Sequence, residues 1–153
     1  MKGRPAKLTE PAPAFDLRQA LAGAGWRLTR QRELVHAYLR SVDFHPTAEQ
    51  VHAAVRRQLP QISLATVYKA LEALVEAGLA TKLPDASGPA RFDHRCDRHY
   101  HLRCQRSGQI RDLQAPFDPH LLDKLDPQLV ERLRQQGFRV SGHHLEILGY
   151  FDC

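Results

Sequence analysis

The chain is poor in cysteine, with only Cys96, Cys104 and Cys153 in 153 residues and no C-x-x-C pair among them. An odd, unpaired set supports neither a secreted disulfide framework nor a four-cysteine zinc knuckle, so reduced thiols in cytosol are the expectation. Long apolar runs are absent too: none approaches the roughly 18 residues of a membrane span. The opening Met1-Lys2-Gly3-Arg4-Pro5 lacks the apolar segment of a signal peptide. A cytoplasmic protein with no membrane partner is expected.

What is present bounds the chain to one substantial domain or two small ones. At 42% hydrophobic and 25% charged residues a core can be buried and wholesale disorder is excluded. The 22 Lys and Arg against 17 Asp and Glu leave a net charge of +5. Through Lys69 the balance is 11 basic against 5 acidic residues, and beyond it 11 against 12, so the two parts carry +6 and −1. An anionic partner such as nucleic acid would meet the first part. Nine histidines are present, and they cluster at His94, His99 and His101 and again at His143 and His144.

Residues 1–13, rich in Pro, Lys and Ala, have no apolar period and read as a flexible basic arm. Leu17, Ala20 and Leu21 then suggest a short helix that stops near Gly23-Ala24-Gly25. Thr29 caps a second helix with Leu34, Val35, Tyr38, Leu39 and Val42 on the helical period. Pro46 breaks the preceding helix, and Thr47 with Glu49-Gln50 opens a third helix that runs to Pro60. Ser63 opens a fourth, ending at Gly78, whose buried stripe is Leu64, Val67, Leu71, Leu74 and Val75. Ser63, Ala65, Thr66, Tyr68 and Lys69 are left facing outward. That face is small, polar and basic, which suits a major groove, where bulky side chains would hold the helix away. Leu79 to Leu83 and Ala90 to His94 read as the strands of a hairpin. Helices followed by a hairpin is the order of a winged helix, and equally that of an ordinary helical core with a hairpin.

Past a hinge at residues 95–98 the pattern changes. His99 to Gln105 and Gln109 to Leu113 alternate as strands around Ser107-Gly108, Pro116 to Gln136 carries a helix, and Arg139 to Tyr150 returns as strand. The order ββαβ predicts a small α/β unit. Leu121, Leu122, Leu125, Leu129, Val130 and Leu133 form an apolar side expected to cover the sheet. A three-stranded sheet keeps open edges, so pairing with a second copy is expected.

His99-Tyr100-His101 sets two imidazoles two apart on an expected strand, on one face and within reach of one metal ion. Asp93 lies six residues before His99, and Asp112 eleven after His101. With His45 from the helix-linking turn these supply three nitrogens and two carboxylates. A sulfur-free set of that kind suits Fe(II) or Mn(II), with Zn(II) able to compete. Each residue by itself is equally a solvated surface group, so the signal lies in the set.

Five stretches kept in order, Trp26 to Arg32, His45 to Val51, Ile62 to Leu71, Arg91-Phe92-Asp93 and His99 to Cys104, resemble the ferric uptake regulator family of metal-dependent repressors. The resemblance runs from about Leu17 to Gly149. It implies an α+β fold: a winged-helix DNA-binding domain over residues 14–94 and a small α/β dimerisation and metal-sensing domain over residues 99–153. It further implies a homodimer on palindromic double-stranded operator DNA, with the regulatory metal on His45, Asp93, His99, His101 and Asp112. Metal would lock the two domains in a DNA-competent form. Aspartate at both carboxylate positions resembles the peroxide-sensing branch, which implies Fe(II)-dependent oxidation of His45 and His99. Iron-sensing relatives more often place Glu there, and the zinc-sensing branch Cys at the Asp93 position. DNA contacts map onto Tyr68 and Lys69, beside Ser63 and Thr66, with Arg27 reaching phosphate or minor groove.

Two departures stand out. The second cysteine of the family's first C-x-x-C pair is Ser107 here, and the chain ends Tyr150-Phe151-Asp152-Cys153, so a structural four-cysteine zinc is not expected and Cys104 reads as a buried thiol. A further site of some relatives would need ligands where Arg98 and Tyr100 stand, leaving His143, His144 and Glu146 as candidates for a second ion. Three other readings compete with a peroxide-responsive repressor: an iron or manganese homeostasis repressor, a metal-dependent hydrolase, and a thiol redox sensor using Cys96 and Cys104. The hydrolase lacks a nameable general base and leaves the basic first half unexplained, so no enzyme is expected.

Overall fold

The structure is a computed structural model that describes residues 14–86 and 88–152, with side chains from Leu17 onward. The basic arm at residues 1–13 and Cys153 lie outside the described residues.

Four helices open the fold, α1 (Ala14–Gly23), α2 (Arg30–Ser41), α3 (Ala48–Val55) and α4 (Leu64–Glu76). Each of the last three starts at a hydroxyl cap. Thr29 accepts from the Arg32 N–H, Thr47 forms a reciprocal capping box with Gln50, and Ser63 accepts from the Thr66 N–H. In α4, Val67, Ala70, Leu71, Ala73 and Leu74 recur at helical spacing and are buried, packing on α2 and α3. Gly78 stops this helix at φ +70°, where the Leu79 N–H returns to the Leu74 carbonyl at 2.8 Å. That left-handed turn favours glycine.

The chain then forms β1 (Thr81–Leu83) and β2 (Arg91–Asp93), an antiparallel hairpin. Thr47 bridges Arg91 on the outer side, and the Phe92 N–H donates to the Pro46 carbonyl at 2.9 Å, so the turn before α3 docks on the hairpin as a third edge. Phe92 points into the core with Leu21, Leu34, Val35, Leu39, Val51, Leu71 and Leu74. Burying one such side chain is worth about 1.5–3 kcal/mol. This is the winged-helix arrangement.

A second sheet follows. It holds β3 (His101–Cys104), β4 (Ile110–Asp112) and β5 (Glu146–Gly149) in the order β4-β3-β5, antiparallel to one side and parallel to the other. Three expectations need correction here. The single helix between Pro116 and Gln136 is two short ones, α5 (Leu121–Leu125) and α6 (Leu129–Gln135), because Pro127 drives Asp126 into extended backbone at φ −158°. No residue of α5 or α6 is fully buried: Leu121, Leu122, Leu129 and Leu133 are half-buried and Leu125 and Val130 exposed, so this side closes no core over the sheet within one copy. The strands are also shorter than expected: β5 is confined to Glu146–Gly149, and His99 lies before β3 instead of on it. Among the described residues, no helix is long and apolar enough to cross a membrane.

Candidate metal centre and nucleic-acid face

Each candidate donor is placed by a separate element. His45 sits in the turn after α2, where its N–H donates to the Ile110 carbonyl of β4 at 2.9 Å. That bond docks the winged-helix side on the second sheet. Asp93 ends β2, is 1% exposed, and accepts from the Arg95 N–H at 2.8 Å. His101 opens β3 and is the cross-strand partner of Asp112 in β4, so the ladder itself sets these two side by side. His99, in the linker, has its Nδ1 at 2.8 Å from the Asp97 carbonyl. With the proton on Nδ1 that contact leaves the Nε2 lone pair turned inward.

One ligand atom from each of His45, Asp93, His99, His101 and Asp112 lies within 4.8 Å of all the others. His45 Nε2 stands 2.9 Å from Asp112 Oδ1, and His99 Nε2 stands 2.9 Å from Asp93 Oδ2 and 3.1 Å from Asp112 Oδ1. Yet His45 Nε2, His99 Nε2 and Asp112 Oδ1 are buried without an aligned hydrogen bond. A buried polar atom left unpaired costs about 1–3 kcal/mol. Donors about 2.1 Å from one octahedral ion lie about 3 Å apart when adjacent, which the contacts of His45 and His99 match, while His101 Nε2 stands farther off, 3.5 Å from Asp93 and 3.9 Å from Asp112. Three imidazole nitrogens and two carboxylates fit a divalent Fe, Mn or Zn ion, and the five-donor cluster includes no sulfur to favour a softer one.

The electrostatics agree. Burial works to raise the Asp112 carboxyl, but contacts with His45 and with Arg95, at 2.9 Å, bring it well below the ordinary carboxylate range. Burial opposes ionisation of Asp93 as well, and the His101 contact, the neighbouring His45 ring and the Arg95 N–H outweigh it. Both groups are therefore ionised at neutral pH, as metal ligands must be. Arg95 and the Asp97 carbonyl were not among the residues singled out from sequence. They sit in the linker, and no spacing rule marks a partner that arrives by tertiary contact.

No second centre forms from His143, His144 and Glu146. Glu146 pairs with Arg103 at 2.9 Å, and His143 stacks on Phe117 with ring centroids 4.9 Å apart. Among the described residues a single donor cluster is present. Cys96 is exposed and Cys104 buried, and both are free thiols.

On α4, Lys69 is exposed, and Tyr68 is 45% exposed with its hydroxyl donating to Glu49 at 2.9 Å. Ser63 and Thr66 face each other across 2.8 Å at the start of the helix, where Ser63 also caps it. Arg27 is exposed beside α2, and its carbonyl accepts from Arg32.

A winged helix and a small α/β unit that meet at a buried cluster of His and Asp make the architecture of a two-part protein with a candidate metal centre at its seam. Residues 23–148 match the model of the Ferric uptake regulator family, and the chain belongs to that family. It is 36% identical over 132 residues to the peroxide-responsive repressor PerR of Staphylococcus aureus, covering 85% of this chain and 83% of that one. Among solved structures it resembles the Campylobacter jejuni peroxide stress regulator at 25% identity and TM-score 0.56, over 90% of this chain and 94% of that one. It shares the fold of the Helicobacter pylori ferric uptake regulator Fur at 19% identity and TM-score 0.67, over 89% and 87% of the two chains.

Proposed function

We propose that this protein is a metal-dependent, peroxide-responsive repressor that binds palindromic operator DNA as a homodimer. The observation that carries this reading is the convergence of His45, from the DNA-binding side, with His99, His101 and Asp112 of the C-terminal domain and Asp93 at the end of the wing. Closing that five-donor shell fixes the position of the recognition helix α4 relative to the second domain, so the closed form binds metal better and metal shifts the population toward it. The residues that hold the ion are His45, Asp93, His99, His101 and Asp112. Tyr68, Lys69 and Arg27, with the first turn of α4 at Ser63 and Thr66, form the DNA face. The exposed Leu125, Ile147, Leu148 and Tyr150 supply apolar surface for a second copy.

Fe(II) held here would supply one-electron chemistry with peroxide, whereas Mn(II) would not. Both aspartates and the 36% identity to a peroxide-responsive repressor favour the iron reading. The test is anaerobic Fe(II) loading, brief peroxide exposure and peptide mass spectrometry. One added oxygen on His45 or His99, absent from a Mn(II)-loaded control, is expected. Unmodified histidines with Fe(II) bound would make the protein a metal-homeostasis repressor instead.

A further inference from the structure

We infer that Arg91 is a positioning residue for the metal centre, holding the main chain of His45 and tying it to the C-terminal domain so that it sets metal affinity without being a ligand. The inference rests on the five-donor reading above.

Side chains alternate along β2, so Phe92 enters the core of the first domain while Arg91 and Asp93 share the opposite face. Asp93 offers a carboxylate to the cluster. Arg91, only 7% exposed, spans the seam between domains. Its Nη1 donates to the His45 carbonyl at 3.2 Å and its Nη2 to the Ser107 carbonyl, in the turn between β3 and β4, at 3.4 Å. Gly108 follows in that turn at φ +69°, and a Cβ there would stand 3.3 Å from Arg91 Nη2, so glycine leaves the room the guanidinium occupies.

The His45 N–H is already bound to Ile110 of β4. Both main-chain polar groups of this ligand are therefore fixed, the N–H by the C-terminal domain and the carbonyl by Arg91. Arg91 in turn reaches back to the β3–β4 turn. A planar fork with several donors can bridge two carbonyls at once, which an ammonium on a flexible stem does poorly and an apolar side chain not at all. Burial of the guanidinium is costly and is opposed further by the charge of Arg103, with the Asp85 carboxylate offsetting only part of that cost, so packing alone would be served better by an apolar residue.

The test is a thermodynamic cycle on the full chain, read as Mn(II) affinity by titration with detection of free Mn(II). Loss of an outer partner of a metal ligand typically weakens affinity about 10–100-fold. Arg91→Met should therefore bind Mn(II) about tenfold more weakly, with Arg91→Lys intermediate. In a His45→Ala background, Arg91→Met should add less than about twofold, because its effect runs through His45. Unchanged affinity in Arg91→Met, or a loss fully additive with His45→Ala, overturns the role. If His45→Ala alone leaves Mn(II) affinity unaltered, the five-donor reading falls and the role of Arg91 with it. Should Arg91→Met fail to fold, Arg91→Lys carries the same cycle.

Discussion

The two halves of this molecule solve burial differently. From Leu21 to Phe92 the chain closes a continuous apolar core of its own. Beyond residue 95, only Tyr100, Cys104 and Ile110 are buried apolar side chains among the described residues, while Leu125 stands 70% exposed and Phe138, Ile147, Leu148 and Tyr150 are exposed as well. The first half has the makings of an independent unit. The second leaves apolar surface uncovered within one copy, and beyond residue 95 its 8 basic and 8 acidic residues cancel, which spares that surface the repulsion a strongly basic one would bring on pairing. A helical region with its own core and a sheet region with exposed apolar surface meet at the His/Asp cluster.

The sharpest way to break this contrast is a pair of substitutions. Leu71→Ala empties part of the first core and should cost about 2–5 kcal/mol at any protein concentration. Ile147→Lys, on the exposed strand β5, should leave unfolding of the single copy nearly unchanged but weaken self-association about tenfold or more. Urea unfolding and sedimentation velocity across a dilution series read both. A concentration-independent loss in Ile147→Lys would place that residue in an internal core and dissolve the contrast.

Charge gives the next test. Lys69→Ala, at the end of the stretch of residues 1–69 that carries +6, should weaken operator binding and lower the slope of log affinity against log salt by about one, as loss of one phosphate contact requires. An unchanged slope would take Lys69 off the DNA face.

The smallest effect expected is one of pH. Burial, reinforced by the charges of Arg40 and His94, lowers His36 in α2 to about 4. The folded form thus binds this proton less well than the unfolded chain does. Stability from the neutral ring is fully present above about 6.5 and is lost as pH falls toward about 4. His36→Gln should therefore lose less stability than the parent between pH 7 and pH 4.5, by about 1 kcal/mol given its partial exposure. An identical pH dependence in the two proteins would refute the assignment.

Much of the first half was legible because its signals are local. Thr29, Thr47 and Ser63 announce their helices by capping chemistry, and the periodic Val67, Leu71 and Leu74 state which face is buried. The second half was read less well for physical reasons. Pro127 splits a run of leucines whose period looks continuous, and none of that apolar side is fully buried within the copy, so periodicity alone suggests one helix closing over the sheet where there are two half-buried ones. His99 was placed on a strand because H-x-H alternation fits one, yet it sits in the linker and reaches the cluster through its Asp97 contact.

By itself the sequence determined the helix starts, the charge asymmetry, the absence of cysteine pairs and the five donor types that form the candidate site. Those follow from short-range rules: side-chain oxygens capping nearby N–H groups, and periodicity along one element. Only the tertiary structure decided that His45 meets Asp112 across the seam at 2.9 Å, that Arg95 holds Asp112, and that Arg91 braces the carbonyl of His45. Those contacts join residues far apart in the chain, and their geometry is set by how two packed domains meet, which no local pattern encodes.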